Sequence, residues 1–123
     1  MDDRKHSGIT PIRILAITDG DSFTVEMPNW PEYLGQSIGI RISGVDTPEM
    51  RSRNPHEKAM AIEARRFLHS ILNSGGVITL HRIQRDKYFR LLADVEVDGH
   101  NLSLLLIKAG YARRYVGGKR QAW

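Results

Sequence analysis

The stretch Arg41-Ile42-Ser43-Gly44-Val45-Asp46-Thr47-Pro48-Glu49 decides how the rest of the chain is read. Ile38, Ile40 and Ile42 recur at every second residue, so they line one face of a strand, and Arg41 and Ser43 point to the other. Gly44 loosens that strand and Pro48 ends it. Proline has no backbone N–H and holds the residue before it extended, so Thr47 leaves the sheet with its carbonyl available to a ligand. This short segment therefore offers a guanidinium, two carboxylates and a carbonyl, groups suited to holding a cation and a phosphate together.

Upstream of it, Ile9 to Thr18 is predicted as a strand from its β-branched content; Ile12 and Ile14 keep a period of two, whereas Leu15 and Ile17 fall out of step. Asp19-Gly20-Asp21 marks a hairpin turn, and Phe23, Val25 and Met27 alternate with polar residues in the strand after it. Pro28 to Gly35 reads as a loop anchored by Trp30 and Tyr33. Downstream, Met50 to His56 reads as a second loop, carrying Arg51, Arg53 and Pro55. From Glu57 the period changes: Met60, Ala64, Phe67, Leu68 and Ile71 form one helical stripe, which Ser74-Gly75-Gly76 stops. Val77 to Arg82 is predicted as a fourth strand and Gln84 to Arg90 as a polar connection. A fifth strand follows, with Leu91, Ala93, Val95 and Val97 on one face. After the Asp98-Gly99 turn, Asn101 caps a short helix through Lys108 that Gly110 ends, and Tyr111 to Val116 is extended. The fold class expected is mainly β with helices, a five-stranded OB-type Greek-key barrel with two or three helices. An open α+β sheet fits the same pattern.

The chain has 123 residues, the size of one domain with one core. It contains no cysteine, so disulfides and thiolate metal sites are excluded and any metal sits among oxygens or histidines. A formal charge of +4 suits a polyanionic partner without requiring one. Residues 1–8 read as a disordered lead-in without the apolar core of a signal peptide, and Leu102 to Ile107, the longest apolar run, is far short of the roughly 18 residues of a membrane span. No membrane association is expected. The compartment stays open: secreted or periplasmic if a precursor segment is removed, otherwise cytoplasmic.

Three sets of residues carry candidate chemistry. Asp21 and Asp46 each lie at a strand edge and would stand side by side if the second and third strands pair, making a hard-oxygen site for calcium or magnesium; as turn residues they would need no ligand. Arg41 and Arg90 can each hold two phosphate oxygens, or form surface ion pairs. Glu49 lies three residues past Asp46, in reach of a metal-bound water as a general base, or stands as a solvated acid near a helix entry. Lys87 and Tyr88 could bond a terminal phosphate, and a solvated loop is their plainer reading. The five histidines have no ligand spacing.

Asp19-Gly20-Asp21-Ser22, the stretch from Arg41 to Glu49, and Asp86-Lys87-Tyr88-Phe89-Arg90, in this order, closely resemble the staphylococcal nuclease (thermonuclease) family, from about Ile9 to Tyr115. The resemblance implies one domain over residues 9–123 and a calcium-dependent phosphodiesterase, endo- or exonucleolytic, that cleaves DNA and RNA by water attack and leaves 3′-phosphates. It implies calcium on Asp21, Asp46 and the Thr47 carbonyl, a scissile phosphate gripped by Arg41 and Arg90, and a water activated by Glu49. Lys87, Tyr88 and Tyr115 are carried over as substrate-binding residues. Ser22 and Phe89 depart from the family's common threonine and glycine, and the short carboxyl terminus is similar to bacterial and mobile-element members. A monomer with no obligate protein partner is expected. The rival expectation is a noncatalytic OB-type module that binds nucleic acid or protein.

Overall fold

The computed structural model describes residues 8–11, 13–27, 37–86, 90–115 and 123. Of the lead-in, only Gly8 falls among them, and the loop expected around Trp30 and Tyr33 lies outside them. Strand β1 (Arg13–Asp19) pairs antiparallel with β2 (Ser22–Glu26), and β2 with β3 (Ile38–Ile42). β3 then runs parallel to β6 (Arg90–Val97), which pairs antiparallel with β5 (Ile78–Arg85). The sheet order is thus β1-β2-β3-β6-β5. It closes on itself through Ile9, whose N–H and carbonyl bond Leu80 of β5 at 2.9 and 2.7 Å. This closed order, with helix α1 (Pro55–Leu72) between β3 and β5, is the OB-type barrel expected, not an open sheet. Two two-residue strands escaped the sequence reading, β4 (Val45–Asp46) and β7 (His100–Asn101); β8 (Arg113–Arg114), within the extended segment expected from Tyr111, pairs with β4. Pairs this short have no periodicity to detect.

The broken alternation in β1 has a physical cause. Ile14 pairs with Val25 and Ala16 with Thr24, so Leu15 is an extra residue, a β-bulge that throws its side chain outward. A second irregularity at Thr18 follows, and Ile17 returns to the core. β5 continues three residues past the expected end because a register shift between His81 and Gln84, with Arg82 at φ +49°, re-aims it before it pairs with Leu91 and Leu92. The polar residues of that extension sit on an exposed edge, which is why their composition suggested a loop.

Helix α1 begins earlier than its apolar stripe. The Asn54 side chain accepts from the N–H groups of His56 and Glu57, and Pro55 takes the first turn, where no N–H is needed. Its buried face is Ala61, Ala64, Leu68 and Leu72, turned slightly from the predicted stripe, whose Met60, Phe67 and Ile71 are half-buried. Burying Leu68 fully stabilises by about 1.5–3 kcal/mol. Helix α2 (Leu102–Lys108) is capped by Asn101, whose side chain accepts from the Leu104 N–H at 3.1 Å, and Gly110 follows it at φ +86°. No helix among the described residues is long and apolar enough to cross a membrane. The core joins Phe23, Ile40 and Ile42 to Leu80, Val95, Leu102 and Leu106, all fully buried.

Gly20 locks the β1–β2 turn onto this frame. A Cβ there would lie 2.7 Å from the Ala64 Cβ and 3.3 Å from the Thr47 Cβ, so the turn touches both α1 and the segment after β4. Gly20→Ala should therefore cost on the order of 1–3 kcal/mol by overpacking, read as a lower urea midpoint. An unchanged midpoint would mean that the turn stands clear of the helix.

Candidate active site

Asp21 occupies the β1–β2 turn, with Asp19 and Ser22 paired on either side of it. The turn is only 7% exposed at Asp21, so the carboxylate needs partners. It has several. Oδ1 accepts from the Ser22 hydroxyl at 2.9 Å, Oδ2 accepts from the Thr47 N–H at 3.2 Å, and the Arg41 Nη1 lies 3.0 Å from Oδ2. The Asp21 carbonyl also accepts from the Ile42 N–H at 2.8 Å. One residue thereby ties the hairpin turn to the end of β3 and to the loop after β4.

Arg41 bridges the two aspartates. Its Nη2 stands 3.9 Å from the Asp46 Oδ1, and Nη1 also donates to the Ile42 carbonyl at 3.0 Å. The three side chains are mostly buried, at 15%, 9% and 14% exposure for Arg41, Asp21 and Asp46. Gly44, at φ +82°, turns the chain between β3 and β4, and its carbonyl accepts from the Tyr115 N–H at 3.0 Å. β4 places Asp46 opposite Arg113 of β8, whose guanidinium stacks 3.9 Å from the Trp123 ring centroid.

Register brings the second arginine in. Arg90 opens β6 level with Gly39 of β3, and Leu92 is level with Arg41. Gly39 and Arg41 share a face of β3, so Arg90 stands on the same face, beside a residue without a side chain. A Cβ on Gly39 would come 3.1 Å from the Arg90 Cβ. The Arg90 Nε donates to the Asp86 carboxylate, which fixes the plane of the guanidinium.

These groups surround one hollow of about 630 Å³, lined by Asp19, Asp21, Arg41, Asp46, Thr47, Glu49, Asp86, Arg90 and Tyr115. Every expected site residue among the described ones reaches it; Lys87 and Tyr88 lie outside the described residues. Glu49 is exposed at the rim, and its N–H donates to Glu57 of α1 at 3.1 Å. Tyr115 is exposed as well, at 55%. Three positions escaped the sequence reading. Asp19, read as a turn residue, accepts from the Met50 N–H at 3.0 Å and fixes the loop after Glu49. Asp86 orients Arg90, and Gly39 makes room for it. Asp86 had a signal, its place four residues before Arg90 beyond β5; Gly39 had none without the strand register.

The closed order of strands and the convergence of carboxylates and two arginines on one hollow define an OB-type domain with a charged cleft. A sequence profile described as staphylococcal nuclease homologue matches residues 39–122, and the chain belongs to that family. Its relatives include a probable endonuclease, LCL3, of Podospora anserina, 31% identical over 84% of this chain and 45% of the relative. Endonuclease YncB of Bacillus subtilis is 35% identical over 77% of this chain and 43% of its own. The SPbeta prophage-derived endonuclease YokF of Bacillus subtilis is 34% identical over 77% and 31%. The chain thus spans less than half the length of each of these relatives.

Arg41 carries the charge balance of the hollow. Arg41→Gln would leave the Asp21 and Asp46 carboxylates facing each other without their shared cation, and should lower unfolding stability by roughly 2–3 kcal/mol. Urea unfolding at neutral pH measures it; a loss below a few tenths would show that the bridge is not a stabilising one.

Proposed function

We propose that this chain is a calcium-dependent nuclease domain that hydrolyses phosphodiester bonds of DNA and RNA. The observation that carries the reading is the convergence of Asp21, Asp46, Thr47, Glu49, Arg41 and Arg90, from five separate strands and loops, on one hollow. A noncatalytic binding module would have no use for all six together.

The donor set fits a hard divalent cation. Asp21, Asp46 and the Thr47 carbonyl offer oxygen only, and among the described residues no three His, Cys, Asp or Glu side chains are grouped closely enough to hold a metal by themselves. Calcium takes 6–8 oxygens, so an incomplete protein shell leaves positions for water and substrate. Bound there, the ion would supply a Lewis acid toward a phosphoryl oxygen. Five carboxylates against two guanidiniums line the hollow, a balance that favours a cation.

The chain's own residues do the rest. Arg41 and Arg90 hold the nonbridging oxygens of the scissile phosphate and offset the charge that builds there as bonds change. Asp86 keeps the Arg90 fork in place. Glu49 accepts a proton from the attacking water, whose oxygen bonds to phosphorus as the bond to the 5′ oxygen breaks; that oxygen leaves as a hydroxyl after taking up a proton, and the other fragment keeps a 3′-phosphate. Lys87 and Tyr88 contact a nucleotide phosphate, and Tyr115 the substrate at the rim.

Calcium titration should switch on digestion of single-stranded and duplex DNA, and a chelator should abolish it. DNA that is bound yet stays intact across calcium and pH titrations would instead favour the binding module. Glu49→Gln should lower kcat by about 10²–10⁴-fold with nucleotide binding largely kept. Arg41→Lys keeps the charge and loses the fork, so a wild-type rate for that variant would remove Arg41 from the reaction.

A further inference from the structure

The catalytic hollow is not isolated. It shares Asp19, Ser22, Glu49 and Arg90 with a larger groove of about 1130 Å³ over β1, β2 and β3. That groove shares Ala16, Ile17 and Arg65 with a third depression of about 360 Å³ between β1 and α1. The three form one continuous track across the barrel.

Charge changes sign along it. Among the ionised groups of the hollow, carboxylates outnumber guanidiniums, but beyond Asp19 and Glu49 the described ionised groups of the large groove are Arg51 and Arg65, with Arg90 at its junction with the hollow. Among the described residues, the ionisable groups lining the third depression are Arg65, Arg66 and His69, with no acid. Arg66 is paired with Glu63 at 3.4 Å, outside the groove. Among the described residues, no acidic side chain pairs with Arg51 or Arg65.

Arg65 is also aimed. Its Nε donates to the Ile17 carbonyl at 2.8 Å, where the β1 bulges turn the strand toward α1. The bond uses the inner nitrogen and leaves both Nη groups for a ligand, the arrangement that suits bidentate phosphate binding. The groove floor is Thr18, Ser22, Thr24 and Gly39, with Phe23 buried beneath it. Among the described residues it offers hydroxyls and open backbone but no exposed ring on which a base could stack.

We infer that Arg51 and Arg65 bind backbone phosphates of the nucleic-acid strand on one side of the scissile bond, so that the groove over β1–β3 is an extended, sequence-independent substrate track. The inference rests on the nuclease reading. It adds two residues that take no part in bond cleavage and ties them to substrate length.

The test uses the full chain and single-stranded oligonucleotides extended on the 5′ or the 3′ side of one cleavable linkage. In wild type, kcat/KM should rise with extension on one side, and Arg51→Gln/Arg65→Gln should remove most of that rise. The double variant should also lower the log–log salt slope of labelled-oligonucleotide binding, measured by anisotropy, by roughly 1.4, about 0.7 per phosphate. Arg53→Gln removes an exposed charge from the same loop but off the track, and controls for net charge. Arg51→Gln alone, which touches no structural bond, covers the case in which loss of the Arg65–Ile17 bond unfolds the protein. An equal loss with Arg53→Gln, or equal losses on both sides, would overturn the track. No cleavage by wild type would instead defeat the nuclease reading itself.

Discussion

The Asp21 carboxylate is the contact on which the rest of the site depends. It is nearly buried, and such a charge persists only with partners close on several sides. Ser22 supplies one from its own hairpin, Thr47 one from the loop beyond β4, and Arg41 one from β3. Three chain segments are therefore held in register by one side chain. Gly20 permits this, because only a residue without Cβ lets the turn approach Ala64 and Thr47 so closely.

The parallel pairing of β3 with β6 solves a different problem. Arg41 and Arg90 are far apart in the chain, and two cations have no attraction to bring them together. Backbone hydrogen bonds and the burial of Ile40, Ile42, Ala93 and Val95 set the register, and the arginines are carried to one face as a consequence. Carboxylates then balance them: Asp21 and Asp46 at Arg41, Asp86 at Arg90. The apolar side of the same strands stabilises what the polar side arranges. Among the described residues, the acids end at Asp19 and Glu49 away from this balanced centre while Arg51 and Arg65 continue, so the polarity of the surface changes along a path leading from the hollow.

Much of this architecture was legible beforehand where periodicity was strong. The alternation of Phe23, Val25 and Met27 and of Ala93, Val95 and Val97 marked true inward faces, and Asn101 and Gly110 bounded a real helix. Legibility failed where geometry departed from a regular period: at the Leu15 bulge, at the shift near Arg82, and in the two-residue strands β4 and β7. The start of α1 was missed for another reason, since Asn54-Pro55 caps the helix before any apolar residue begins its stripe.

By itself the sequence determined which chemical groups are present, the β-rich class of the fold, and the strand faces that had to be buried, because side-chain type and a period of two or 3.6 are local properties. Which groups meet was decided by the tertiary structure. The nearness of Arg90 to Arg41 and the close approach of Gly39 to the Arg90 Cβ both follow from strand register and barrel closure. These are set by burial and hydrogen bonding summed over the whole sheet, and no short stretch of chain contains them.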